Sequence, residues 1–178
     1  MIIGITGLAR SGKDLVANYF VEKYKFIKLN MSDILRDELI SKQLEPTKVN
    51  MSNLGNEWRK KYGADIIMIR VLEKAKSFKD IVITGIRSPE EIYFLKKNAK
   101  EVHIISIESS KELRFKRKNE LDPNTKDKFF LRDENDMKNK GLDKAINLAD
   151  RHIINDSTVH ELFIKLDKLI KSLRHQQP

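Results

Sequence analysis

The sequence predicts an α/β protein built on a parallel sheet, and two observations carry that expectation. Short apolar, β-branched runs alternate with helical stretches along the whole chain, the order that builds a parallel sheet covered by helices. A glycine-bearing stretch, GLARSGKD at 7–14, falls between the first such run and the first helical stretch, where a turn from strand to helix is expected.

The first run, MIIGIT at 1–6, stops at Gly7 as a buried strand would. From Lys13 to Tyr24 the apolar positions Leu15, Val16, Tyr19 and Phe20 recur at helical spacing, and FIKLNM (26–31) reads as a second strand. A long, mostly polar region at 33–78 reads as helical, with a break around LEPTK (44–48). DIVITG (80–85) has the continuous β-branched core of a strand covered on both faces. A helix is expected from Pro89 to about Asn98, because proline suits a first turn. EVHIISI (101–107) is the fourth strand, followed by a charged helical stretch from Lys111 to about Leu121, a loop at 121–128 and further helix over 129–147. RHIIN (151–155) completes a five-stranded sheet. VHELFIKLDKLIKSL (159–173) closes the chain as an amphipathic helix with Leu162, Leu166, Leu169 and Leu173 on one face, and the tail RHQQP is expected to fray.

At 178 residues the chain suits one domain able to bury a core of its own, so a single domain is expected over 1–178. No apolar run approaches the ~20 residues needed to cross a bilayer, and MIIGITG reads as a strand, not a signal peptide. The chain has no cysteine, which removes disulfides, thiolate metal sites and cysteine nucleophiles from consideration; a cytoplasmic protein is the simplest expectation. The net charge of +9 is spread along the sequence without a long basic block or interleaved aromatics. It reads as a solvated lysine-rich surface, which allows a nucleic-acid partner without favouring one.

Gly7, Gly12 and Lys13 satisfy the pattern GxxxxGK, and the strand-then-helix context supports it as a phosphate-binding loop. Glycine lets the backbone wrap around phosphate with successive amides aimed at its oxygens. Lys13 supplies a point charge to the β- and γ-phosphates, and the helix that begins there adds its dipole. Gly7, Arg10, Ser11, Gly12, Lys13 and Asp14 are therefore the candidate nucleotide-binding residues, with ATP as donor and Mg²⁺ as its cofactor. Asp14 stands where a serine or threonine hydroxyl commonly ligates Mg²⁺. A carboxylate is also a hard oxygen ligand, so Asp14 is the candidate metal residue; a loop that binds nucleotide without turnover is the alternative. RSGKD resembles the corresponding loop of phage deoxynucleoside monophosphate kinases and animal-type phosphomevalonate kinases.

Three further stretches bear on what receives the phosphate. MSDILRDEL (31–39) resembles the (G/S)DxLR segment of adenylate-kinase-like enzymes, which implies acceptor binding by Asp33 and Arg36. Ser32 and Asp33 would equally serve as helix N-caps. ITGIRSPEE (83–91) resembles the segment whose arginine fixes the acceptor phosphate in nucleotide monophosphate kinases, a role that falls on Arg87. In an open α/β sheet that position lies past the carboxyl end of a strand, where ligands bind, and a guanidinium fork suits two phosphate oxygens at once. Thr84 stands where relatives often carry an acidic residue, and Asp14 would then supply the metal-binding carboxylate. Arg114, Arg117 and Arg132 flank LDPNTKDK (121–128), a candidate lid; Arg117 and Arg132 are expected to neutralise the phosphoryl group in transfer. NEWRKKYGADI (56–66) resembles the acceptor-side helices of the same kinases and adds Arg59, with Trp58 read as packing. ADRHIINDST (149–158) resembles a segment of dephospho-coenzyme A kinases whose following loop borders adenine, which implicates Asn155; Asn155 and Asp156 also suit a plain turn.

The chain thus resembles P-loop nucleoside monophosphate kinases over roughly 1–172, and most nearly the archaeal adenylate-kinase-related proteins of unassigned substrate. The resemblance implies a three-layer P-loop NTPase fold with a five-stranded parallel sheet, a helical NMP-binding insert and a lid. In this sequence those would be a core at 1–32, 79–112 and 145–174, an insert at 33–78 and a lid at 113–140. It also implies a phosphotransferase in which Lys13, Arg87, Arg117 and Arg132 are catalytic, the partners being ATP and a monophosphate, in a monomer or homodimer. Two alternatives stay open: a dephospho-coenzyme A kinase-like enzyme, with Asp33 as base, and an RNA- or ribosome-associated ATPase switch. A GTPase is rejected, since NKGLD (139–143) has one residue too many for NKxD. His103, His152, His160 and His175 are not needed.

Overall fold

The computed structural model describes residues 1–120 and 122–175. Five strands form one parallel sheet: β1 (Ile2–Thr6), β2 (Ile27–Asn30), β3 (Ile81–Ile86), β4 (Val102–Glu108) and β5 (Arg151–Ile154), in the spatial order β2-β3-β1-β4-β5. The helices among the described residues are α1 (Lys13–Tyr24), α2 (Met31–Ser41), α3 (Lys48–Tyr62), α4 (Ile66–Ala75), α5 (Pro89–Asn98), α6 (Lys111–Lys116), α7 (Lys126–Lys140), α8 (Leu142–Asn147) and α9 (Val159–His175).

Successive strand residues point to opposite faces of a sheet, and the core divides accordingly. Ile81, Ile83 and Ile104 pack with Leu35, Leu54, Ile67, Val71, Ile92 and Leu95 on one face. Ile3, Ile5, Val82, Ile105 and Ile107 pack with Val16, Phe20, Leu162 and Leu166 on the other. Helices α2–α5 and α8 therefore cover one side, α1 and α9 the other, giving three layers. Gly4 is the one place where β1 shows no side chain to the first face. A Cβ there would press on the side chains of Ile86 and Ile104, so β3, β4 and α5 close tightly over the central strand.

Several boundaries differ from expectation for local reasons. Asn30, not Ser32 or Asp33, caps α2: its side chain accepts from the Ser32 amide at 3.0 Å, so the helix starts directly from β2. The stretch expected to run from 111 to 121 is helical only to Lys116, with Arg117 at its end. Helix α7 begins inside the expected loop, after Thr125, and Leu121 of that loop lies outside the described residues. Gly141, at φ 70°, splits the expected helix 129–147 into α7 and α8. Arg174 and His175, placed in a frayed tail by the sequence, continue α9; the remaining tail, 176–178, lies outside the described residues. No helix among the described residues is long and apolar enough to cross a membrane.

Candidate functional site

The loop at 7–12 leaves the carboxyl end of β1, the middle strand of the sheet. Its path needs backbone that L-residues rarely adopt: φ is 136° at Gly7, 62° at Arg10 and 105° at Gly12. A Cβ on Gly7 would collide with the Ile107 carbonyl, and one on Gly12 with the Asn155 amide. Three side chains take carbonyls of the loop. Lys13 Nζ donates to Leu8 O at 2.6 Å, Arg114 to Ala9 O at 3.1 Å, and Asn155 Nδ2 to Ser11 O at 2.8 Å. With the carbonyls turned into the protein, the orphan amides at the N-terminus of α1 are left to face an anion.

Both pins are themselves anchored. Arg114 is 1% exposed, paired to Asp133 of α7 at 2.7 Å and set over the Phe130 ring. Asn155 is buried, and its backbone N–H donates to Glu108 O at 2.8 Å. Asn155, expected to border the nucleotide, thus serves the loop's shape in this structure. Arg114 proves to be a loop anchor, a position the sequence placed only among the arginines flanking the lid.

Burial pushes the Lys13 ammonium down to about 8, and the nearby Arg87 and Arg132 add to that while Asp14 and Asp136 oppose it. Lys13 thus feels the charges of Arg87 and Arg132 together. Asp122 ties Arg132 (3.0 Å) to Arg10 (2.5 Å), which joins the segment before α7 to the phosphate-binding loop. Burial would raise the Asp122 carboxyl, but the Asn119 amide and the two guanidiniums outweigh it and hold it down at about 2.

Arg87 follows β3, and its amide donates to Glu91 Oε2 at 2.9 Å. Glu91 also completes a capping box with Ser88 at the start of α5 and receives Arg59 at 3.3 Å. This buried carboxylate, raised by desolvation, joins α3 to the base of Arg87. The capping pattern Ser-x-x-Glu at 88–91 was the signal that could have found it.

The other expected residues are less convergent. Arg36 is ion-paired with Asp33 one turn back on α2, and both are partly exposed. Arg117, expected over the transferring group, instead donates to Ser109 Oγ and Asn155 O at the ends of β4 and β5. It lies along the edge of the site, while Arg132 is tied through Asp122 to Arg10 of the loop. The Asp14 side chain is 77% exposed and meets Lys28 at 3.0 Å. Among the described residues no cluster of three or more His, Asp or Glu could hold a metal by itself. Ser11 Oγ and Thr84 Oγ1 are buried without a hydrogen-bond partner. Asp122, Asp136 and Lys140 complete the charged surroundings of the site; lying in an evenly charged stretch, they carried no sequence signal.

A parallel sheet in this order, with a phosphate-binding loop after its central strand, is the P-loop kinase fold. Solved structures agree. Shikimate kinase from Bacteroides thetaiotaomicron matches with a TM-score of 0.67 at 12% identity over 98% of each chain. Shikimate kinase from Acinetobacter baumannii, in complex with shikimate, matches with a TM-score of 0.62 at 18% identity over 99% of this chain and 95% of that one. The chain belongs to the family described as AAA domain, matched over residues 6–129, and to the UPF0200 proteins. The UPF0200 protein of Methanococcus maripaludis strain S2 is 32% identical over 179 residues, covering 97% of each chain, and that of Pyrococcus furiosus is 30% identical over 183 residues, again covering 97% of each.

Proposed function

We propose that the protein is an ATP-dependent phosphotransferase that moves the γ-phosphoryl group to a phosphorylated small molecule of the nucleoside or deoxynucleoside monophosphate type. The observation that carries this reading is that Arg87 and Arg132 both act on the charge of the loop lysine, with Arg132 tied through Asp122 to Arg10 of the same loop. Each makes that charge harder to keep in the free protein, and the extra positive charge suits a second phosphate beside the triphosphate.

In this reading Gly7, Arg10, Ser11, Gly12 and Lys13 hold the triphosphate. Residues 33–78 bind the acceptor, with Arg87 on its phosphate and Arg59, Arg36 and Asp33 around it. Residues 113–140 cover the site and bring Arg132 over the charge that builds up in transfer. Arg117 lies at the edge of the site and Asn155 holds the loop through the Ser11 carbonyl. The exposed Asp14 carboxylate, next to Lys13, fits Mg²⁺, because one carboxylate with phosphate oxygens and water is a set this ion commonly takes. When bound, the metal would neutralise charge on the β- and γ-phosphates. Holding two phosphates in line needs no strong base. A hydroxyl acceptor, as in a dephospho-coenzyme A kinase, would call on Asp33, whose carboxylate is occupied by Arg36. The surroundings are those of the cytoplasm, where ATP and monophosphates are both supplied.

The test is phosphoryl transfer from ATP and Mg²⁺ to a panel of monophosphates, with dephospho-coenzyme A and phosphomevalonate included. Transfer to one monophosphate is expected, reduced about 10²-fold or more in Arg87→Ala and abolished in Asp14→Ala. Slow ATP hydrolysis with no acceptor, unchanged in Arg87→Ala, would sink the reading. Tight RNA binding with a steep salt dependence would then put the ATPase switch in its place.

A further inference from the structure

We infer that Lys140 completes the acceptor-phosphate site with Arg87, and that Asp136 occupies this site in the free protein as a carboxylate that the acceptor phosphate displaces. The inference rests on the phosphotransfer reading above and adds two residues to it.

Helix α7 turns one face inward, with Phe129, Arg132, Asp133, Asp136 and Lys140 at three- and four-residue spacing. The buried Asp133–Arg114 pair docks this face against the phosphate-binding loop. One turn on, Asp136 Oδ1 receives Lys140 Nζ at 2.6 Å and faces Arg87 at 3.8 Å. One carboxylate oxygen therefore lies between an ammonium and a guanidinium, the arrangement a phosphate oxygen would adopt there.

Lys140 is held in place from its C-terminal side. It ends α7, and the next residue, Gly141, packs on Pro89 at the first turn of α5. Because Arg87 precedes that same turn, the end of α7 and the beginning of α5 bring the two cations together. The amino end of α5 adds its own positive potential. Burial, Arg87 and Arg59 lower the Lys140 ammonium, against Asp136, which raises it; an arriving dianion would relieve the cations.

A single carboxylate cannot balance Arg87 and Lys140 together. A phosphate monoester can, because it presents two charges and three oxygens. Asp136 then acts as a placeholder, keeping two cations oriented until the acceptor arrives, and its presence lowers the affinity of weaker anions.

Inorganic phosphate, titrated calorimetrically into the protein loaded with ADP, is the probe, since ADP fills the anion site of the loop. Wild type is expected to bind phosphate, Lys140→Gln to bind about ten-fold more weakly, Lys140→Arg to keep its affinity, and Asp136→Asn to bind several-fold more tightly. Circular dichroism confirms that each variant is folded. Unchanged affinity in Lys140→Gln alongside a loss in Arg87→Ala overturns the role of Lys140 and leaves the phosphotransfer reading standing. Weaker binding in Asp136→Asn overturns the displacement. No phosphate binding by wild type, or the same binding in Arg87→Ala, removes both the inference and the acceptor site it rests on.

Discussion

Lys13 keeps its charge at a cost. Its ordinary value of 10.5 falls to about 8 because burial, Arg87 and Arg132 all disfavour the protonated form. Between those two pH values the unfolded chain holds a proton that the folded one has lost. Lys13 therefore destabilises the fold fully below about 8, and this penalty fades as pH rises towards 10.5. Phosphates reverse the effect by restoring the charge, so ATP should bind with proton uptake above pH 8 and more weakly at pH 9 than at pH 7. Lys13→Met should lose transfer activity yet melt higher than wild type at pH 7, by about 2–4 °C for each kcal/mol of penalty removed; a lower melting temperature would contradict this account. The lysine was legible in the sequence because GxxxxGK is a local pattern. The other charged groups were less so: Arg87 sits in a readable strand-end motif, but Asp122 meets Arg10, and Asp136 meets Arg87, only through tertiary structure. Arg117 was placed over the phosphates for its position beside a loop. The structure gives it acceptors at Ser109 and Asn155 instead, which no local pattern announces.

Helix α5 shows how a short segment sets a distant side chain. Ser88 caps it, Pro89 opens its first turn, and Glu91 reaches back to the amides of Arg87 and Ser88. Losing the cap in Ser88→Ala should lower stability by about 1 kcal/mol. Glu91→Ala should cost more, about 2–4 kcal/mol, because it strands two amides and the Arg59 guanidinium at once. Urea unfolding of both variants is the check, and equal losses would show that Glu91 does no more than cap. Strands β1, β3 and β4 were legible as runs rich in β-branched residues, β2 and β5 as shorter apolar stretches between helical ones, and the final helix because its leucines recur on one face. The helices at 111–147 were legible as helix but not in their bounds, for α6 and α7 pack largely through charged residues such as Arg114 and Asp133. Only Gly141, with its positive φ, marks the division between α7 and α8.

The whole molecule is organised about β1, which begins the chain yet lies in the middle of the sheet. Its neighbours β3 and β4 start at Ile81 and Val102, and the residues that hold its loop, Arg114, Asp133 and Asn155, come later still. Net charge and composition could not announce this, but the alternation of strands and helices did predict the sheet. The loop after β1 is therefore shaped by residues that lie far along the sequence from it. Until Asn155 is free to reach Ser11, nothing fixes the loop carbonyl it binds. A chain cut before Arg151 should accordingly fail to take up ATP in a filter-binding assay, although it contains the complete GLARSGKD segment. A ligand held by that loop would stabilise only those molecules whose last strand has joined the sheet.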